Sequence, residues 1–124
     1  MTKKQEMMTW RKAQLLRSSN RLGSHRNCFR SYSNETEAHI TKKFKVWLEL
    51  IKVGCSVYTE GIFLNGSRCD ILAIMPDGRV KVIEILESET KEECLEKVKK
   101  YPNDIDDIII VMEVDENTKK DILC

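Results

Sequence analysis

Hydrophobic and polar positions along the chain first predict a helix over residues 34–53. At about 100° per residue, its larger apolar side chains fall on one stripe, as in an amphipathic helix that covers a sheet. Ser33 and Asn34 can cap the start of this helix, and Gly54 follows its end. The stripe is formed by Ile40, Phe44, Trp47, Leu48 and Ile51.

Three segments after this helix have the composition of strands: residues 56–63, 67–75 and 79–86. Asn65 and Gly66 separate the first two, and both tolerate the positive φ of a two-residue hairpin. A Pro-Asp-Gly sequence supplies the next turn, because proline sets φ and glycine closes the turn. Two tight turns in succession predict an antiparallel meander of three strands.

A second helix and a fourth strand follow the meander. A capping box at residues 90–93, Thr-Lys-Glu-Glu, opens the helix, on which Leu95, Val98 and Tyr101 are expected to face one way. Residues 108–112 are apolar throughout, which is typical of a strand buried on both faces. Because this strand follows a helix, we expect it to lie parallel to an earlier strand. The fold class is therefore α/β, with a central mixed sheet.

Charge divides the chain into a basic arm, residues 1–32, and an acidic domain, residues 33–124. The arm, predicted to hold a short helix at residues 5–18 and a linker, has eight Lys and Arg against one acid. The domain has 13 Lys and Arg against 19 acids. Basic arms neutralise nucleic-acid phosphates, although such an arm can also lie on its own acidic domain. The predicted phosphate contacts are Lys3, Lys4, Arg11, Lys12, Arg17, Arg21, Arg26 and Arg30.

Length and composition exclude several classes of protein. The 124 residues suffice for one ordinary domain. The longest apolar runs are far below the roughly 20 residues of a membrane helix. The start of the chain lacks the apolar centre of a signal peptide, so we expect a cytoplasmic protein with no membrane partner. The five cysteines form no Cys-x-x-Cys pair, and reduced thiols are expected.

Three acids lie among apolar neighbours, where an unpaired charge is costly to bury. Asp70 and Glu84 lie on adjacent predicted strands at similar distances from the turn between them, so we expect them to face each other. Two carboxylates that close raise each other's pKa unless a cation lies between them, and hard oxygen ligands suit Mg²⁺ or Mn²⁺. Glu37 falls inside the helix stripe and is expected to point to the same place, whereas Glu35 is expected to face solvent.

Each of these acids also has a purely structural interpretation. Glu37 can form a capping box with Asn34. Asp70 can pair with Arg68, its neighbour on the same strand face, and Glu84 can be a strand-end acid that meets a lysine. Four other side chains are interpreted as surface or packing residues: His39, Lys97, Trp10 and Trp47.

The order of three segments resembles the motif order of the PD-(D/E)XK nuclease superfamily. These segments are Glu37, residues 66–72 (Gly-Ser-Arg-Cys-Asp-Ile-Leu) and residues 77–86 (Asp-Gly-Arg-Val-Lys-Val-Ile-Glu-Ile-Leu). The likeness is greatest to its small archaeal Holliday-junction-resolvase members and to virus- or plasmid-encoded members. It covers roughly residues 34–112. The resemblance implies a restriction-endonuclease-like αβββαβ core, with a central mixed sheet and flanking helices.

The resemblance also implies a metal centre and a substrate. Asp70, Glu84 and the carbonyl of Ile85 would hold Mg²⁺ or Mn²⁺, with Glu37 assisting directly or through water. In such enzymes the metal polarises the scissile phosphate and lowers the pKa of an attacking water. The implied partner is DNA, cut as a phosphodiester and chosen by shape rather than base sequence. Homodimerisation is expected on the same ground, as is the host cytoplasm for a virus- or plasmid-encoded member.

One position departs from the family pattern. The second acid is usually followed two residues later by lysine, because a period of two places both side chains on one face of the strand. This chain has Leu86 there. Arg68, on the parity of Asp70, is the first candidate to replace the lysine, ahead of Lys91, Lys42 and Lys43. Two alternatives stay open: a nuclease-fold protein that binds nucleic acid without cutting it, and a protein-interaction module.

Overall fold

The computed structural model of the protein describes residues 2–16, 26–87 and 89–123. Within these ranges the chain forms four helices and four strands. The helices are α1 (Lys3–Leu15), α2 (Glu37–Lys52), α3 (Lys91–Val98) and α4 (Glu116–Leu123). The strands are β1 (Ser56–Ile62), β2 (Arg68–Ile74), β3 (Val80–Ile85) and β4 (Asp107–Val111).

The four strands form one mixed sheet in the order β1-β2-β3-β4. The pairs β1–β2 and β2–β3 are antiparallel, and β4 lies parallel to β3, as predicted from the helix that joins them. Gly66 and Gly78 take positive φ angles of 93° and 91° in the two predicted turns. The α/β class, with a mixed sheet flanked by helices, is therefore confirmed.

Apolar cores lie on both faces of the sheet. One core joins α2 and α4 to the odd-numbered residues of β2 and β3, and it includes Val46, Leu50, Ile71, Ile83 and Ile122. The other joins α1 and the region after α3 to the even-numbered residues, and it includes Leu15, Leu16, Leu72, Val82 and Tyr101. The sheet is thus covered on each side, as an α/β layer arrangement requires.

Helix α2 is rotated relative to the prediction. Its buried residues are Lys43, Val46 and Leu50, whereas Phe44 of the predicted stripe is 42% exposed. The Phe44 ring packs instead on the Phe29 ring, with centroids 5.3 Å apart. The stripe was wrong in part: Trp47 and Ile51 do pack against the core, but Phe44 does not face inward. The pattern counts apolar residues only, while a lysine can also occupy an inward position when carboxylates inside the protein bind its ammonium.

Two further details differ from the prediction. Helix α2 begins one residue after Thr36, whose hydroxyl accepts from the His39 N–H, so the cap is not formed by the serine and asparagine before it. Strand β4 is not buried on both faces, because it is the edge strand of the sheet: Ile108 is 39% exposed. Leu95 of α3 is exposed as well.

The first part of the predicted basic arm lies on the domain. Helix α1 starts with a capping box between Thr2 and Gln5 and buries Met8 and Leu15 in the second core. The segment before α2 lies alongside β1, since the backbone N–H of Val57 donates to the side chain of Asn27. None of the helices in the described ranges combines the length and the apolar character needed to cross a membrane.

The rotation of α2 predicts unequal costs for the same substitution at two positions. Leu50→Ala removes a fully buried side chain and should lower the free energy of unfolding by about 2–5 kcal/mol. Leu48→Ala, in the predicted stripe but only half-buried, should cost clearly less. Urea unfolding of both variants measures the difference. An equal or larger loss for Leu48→Ala would contradict the rotation.

Candidate functional site

Three buried carboxylates form a row across three neighbouring strands. The β1–β2 register places Glu60 opposite Asp70, and the β2–β3 register places Asp70 opposite Glu84. The three residues are 7%, 8% and 0% exposed. These registers agree with the prediction that Asp70 and Glu84 lie opposite each other. Glu60 was not predicted as part of the site.

Glu84 is the most deeply buried member of the row. Its Oε1 accepts a short hydrogen bond from the Tyr101 hydroxyl, and its Oε2 lies 3.2 Å from the Lys97 ammonium. Burial first, and the charge of Asp70 second, raise the pKa of Glu84 to about 8. The Glu84 carboxyl is therefore much harder to ionise than that of an ordinary glutamate.

Asp70 stays ionised beside it. Its Oδ2 accepts from the backbone N–H of Ile85 at 2.8 Å and lies 3.6 Å from Nε2 of His39. Although burial opposes ionisation, these two donors lower the pKa of Asp70. The two neighbouring acids are therefore unequal: the pKa of Glu84 is raised and that of Asp70 is lowered.

His39 links the row to the start of α2. The hydrogen bond to Asp70 raises the pKa of His39 to about 9, although burial opposes this rise. Glu35, whose Oε2 lies 2.8 Å from Nδ1 of His39, raises the pKa further. The imidazole is therefore a cation at neutral pH. The prediction that His39 is a surface residue was wrong, because it assumed the unrotated stripe of α2.

Glu35, and not Glu37, joins the cluster. The Lys43 ammonium donates to both carboxylate oxygens of Glu35, at 2.8 and 2.9 Å, and the backbone N–H of Tyr32 donates to one of them. Although burial opposes it, these donors lower the pKa of Glu35. Glu37 is exposed. The prediction that Glu35 faces solvent was wrong because Thr36 caps the helix. Glu35 therefore precedes the helix, and the helical periodicity used to place its side chain does not apply to it.

Lys43 connects Glu35 to Glu60 from a buried position. Its side chain is fully buried, and its ammonium lies 3.0 Å from Oε1 of Glu60. Burial raises the pKa of Glu60, and Lys43 opposes that rise. Glu60 has a positive φ of 53°, which is a strained conformation for this residue type. A charged residue followed by glycine inside an apolar strand was the signal in the sequence that could have identified it.

Arg68 does not lie in the row. Its guanidinium stacks over the Tyr32 ring, 5.0 Å from the centroid, and the residue is exposed. Neither its pairing with Asp70 nor its replacement of the missing lysine is seen. Lys97 meets Glu84 instead, although the sequence favoured a surface position for this lysine. Lys42 pairs with Glu87 at 3.0 Å.

A cleft of about 240 Å³ opens beside the row. It is lined by Asn34, Glu35, Thr36, His39, Ile85, Glu87 and Glu89. Ile85, named with Asp70 and Glu84 as a metal ligand, therefore lies at the wall of an open space. Across the described ranges, no group of three or more His, Cys, Asp and Glu side chains is arranged to hold a metal ion. A cation here would take two side-chain carboxylates, and other oxygens would complete its coordination.

The basic residues of the predicted arm have different surroundings. Lys3, Lys4 and Arg26 are exposed. Arg11 donates to the carbonyl of Asp104 at 2.8 Å, so part of the arm does lie on the acidic domain. Lys12 and Arg30 are half-buried, and Arg17 and Arg21 lie outside the described residues. Contacts of this set with phosphates stay a prediction.

The raised pKa of Glu84 predicts a pH dependence of stability without divalent cations. Between the ordinary pKa of 4.5 and about 8, the folded protein holds a proton at Glu84 that the unfolded chain releases. The stability that Glu84 contributes is fully present below pH 4.5 and is lost as the pH rises through about 8. Glu84→Gln, which mimics the protonated form, should lose less stability than the wild type from pH 5 to pH 8.

Urea unfolding in EDTA across this range measures the difference, with the exposed Glu96→Gln as the control. Parallel pH profiles for the wild type and Glu84→Gln would show that Glu84 is ionised at neutral pH.

Comparison with protein-family models, with curated proteins and with solved structures gives no match for this chain. The chemistry of the carboxylate row and of its cleft is therefore what supports a function.

Proposed function

We propose that the protein is a metal-dependent nuclease that hydrolyses phosphodiester bonds in DNA. The observation that carries the proposal is the buried pair Asp70 and Glu84, which the register of β2 and β3 places opposite each other. Two buried carboxylates at this distance repel each other, and a cation between them relieves the repulsion. Mg²⁺ or Mn²⁺ fits this place, since both ions prefer hard oxygen ligands. The elements from α2 to β4 would then form a restriction-endonuclease-like core.

The chain's own residues divide the work at this site. Asp70 and Glu84 would hold the cation, with the carbonyl of Ile85 at the cleft wall as a further oxygen. When bound, the cation supplies polarisation of the scissile phosphate and lowers the pKa of an attacking water. The Ile85 N–H fixes the Asp70 carboxylate at 2.8 Å, and His39 does so from the other side. The ligands are thus oriented before any cation arrives.

Lys97 takes the place of the missing motif lysine in this proposal. Its ammonium lies 3.2 Å from Glu84, where it reaches the carboxylate from α3 rather than from β3. The side chain is 38% exposed, so its ammonium also faces the solvent from which substrate enters. An ammonium in this position can orient a water or stabilise charge on a phosphate.

DNA is the proposed substrate because the chain offers sequence-independent phosphate contacts. Lys3 and Lys4 present their side chains to solvent on α1, and Arg26 is exposed before α2. Contacts of this type position a duplex without reading bases, which suits selection by shape. A cytoplasmic location and assembly as a homodimer belong to the same proposal.

A second candidate function is binding of nucleic acid without cleavage. This alternative is favoured because both carboxylate oxygens of Glu84 already have protein donors, Tyr101 and Lys97. A cation would have to displace at least one of them. Leu86 at the motif position is consistent with this alternative too.

A cleavage assay separates the two candidates. Circular single-stranded DNA, linear duplex and a four-way junction are incubated with the protein in Mg²⁺ and in Mn²⁺. The wild type should cut at least one of them, and Asp70→Asn should lose about 100-fold or more of the rate. Binding with no cleavage by either protein would support the second candidate, and no binding at low salt would favour a protein-interaction module.

The role of Lys97 has a matched control on the same helix turn. Lys97→Met should lower the cleavage rate by about 100-fold because the ammonium at Glu84 is removed. Lys99→Met removes an exposed lysine that pairs only with Glu96 among the described residues, so the rate should stay within about twofold of the wild type. Similar rates for Lys97→Met and Lys99→Met would exclude Lys97 from the reaction.

Metal binding has a readout that does not depend on activity. Mn²⁺ should raise the melting temperature of the wild type, because a ligand that binds only the native state stabilises it. Asp70→Asn should show no rise at the same concentration. Differential scanning fluorimetry measures both, and an equal response of the two proteins would argue against a cation at Asp70 and Glu84.

A further inference from the structure

Four buried or half-buried carboxylates form one connected cluster around the proposed metal site. Glu60, Asp70 and Glu84 form the row across the sheet, and Glu35 faces the row from the chain just before α2. So many acids in one place invite comparison with two-metal sites, in which carboxylates hold two cations about 3.5–4 Å apart. The contacts within this cluster favour a different arrangement.

We propose that the buried ammonium of Lys43 stands where a second divalent cation would stand, so that the site binds one cation only. This inference rests on the proposed function, because it concerns the same row of carboxylates. Lys43 neutralises the Glu35 and Glu60 end of the cluster. Asp70 and Glu84 at the other end are left for the metal.

The contacts of Lys43 account for its full hydrogen-bonding capacity. An ammonium has three N–H donors and no acceptor. Lys43 has three carboxylate oxygens at 2.8, 2.9 and 3.0 Å, two on Glu35 and one on Glu60. Each donor therefore has a charged partner, and the group has no capacity left for solvent or for substrate.

Burial makes this ammonium difficult to displace. The Lys43 side chain has no exposed surface, and the Phe29 ring lies 5.5 Å from its nitrogen. A second cation would have to remove a buried charge from its carboxylates, which leaves that charge unpaired in the interior. Lys97, in contrast, is 38% exposed, so its ammonium also faces solvent.

The backbone of β1 is shaped for the contact with Lys43. Glu60 keeps a positive φ in the middle of a strand, and its carboxylate lies 3.0 Å from the ammonium. Strain of this kind persists only where surrounding contacts hold it. Glu60 is therefore committed to Lys43 rather than available as a metal ligand.

The number of cations bound per chain tests the proposal. Titration of the full chain with Mn²⁺, followed by electron paramagnetic resonance of the free ion, should give one bound cation, and Asp70→Asn should give none. Two cations on the wild type would overturn the inference and leave the proposed function standing. No bound cation would overturn the proposed function and the inference with it.

Removal of the ammonium should convert the site. Lys43→Met removes the ammonium that Glu35 and Glu60 share, so the expected stoichiometry rises to two Mn²⁺ per chain. One cation on a folded Lys43→Met variant, verified by circular dichroism, would show that Lys43 does not exclude the second ion.

Glu60→Gln keeps the test decisive if Lys43→Met fails to fold. Because Glu60 is assigned to Lys43, this variant should bind one Mn²⁺ with less than about tenfold loss of affinity, the smallest loss typical of a residue that supports a metal ligand. A larger loss would make Glu60 part of the metal site and overturn the assignment.

Discussion

The site depends on two carboxylates that the sheet holds face to face. Asp70 and Glu84 occupy opposite positions on antiparallel β2 and β3, so neither can move away without breaking the register of the central strands. Burial denies both of them the solvation that would keep two negative charges stable at this distance. One of them must be neutralised, by a proton, by an ammonium or by a metal ion, and the neighbouring residues are arranged around that requirement.

Charge balance explains the composition of these neighbours. The four acids Glu35, Glu60, Asp70 and Glu84 have three cationic partners, namely Lys43, Lys97 and His39. A buried ion pair contributes little net stability by itself, because the desolvation of its charges offsets their attraction. The stability of the domain therefore gives no reason for a cluster of this size.

The sequence predicts the part of this arrangement that local rules determine. The tight turn at Gly78 places Asp70 opposite Glu84, since turn geometry sets strand register. It does not predict Glu35 or Glu60. Glu35 lies outside the helical periodicity that was applied to it, and Glu60 meets its partner Lys43 through tertiary packing alone. Contacts between residues distant in sequence leave no periodic signal, so a pattern of neighbours cannot show them.

The same distinction applies to Lys97, which we propose in place of the motif lysine. A fixed spacing in a strand is one way to bring an ammonium to a carboxylate, but the chemistry needs only the ammonium and its distance. Here the position two residues after Glu84 is Leu86, which is buried and whose N–H donates to the carbonyl of Val111. Lys97 reaches the carboxylate from α3 on a long, flexible side chain. A helix that packs beside a strand can therefore supply what the strand lacks, and only the folded structure identifies which lysine does so.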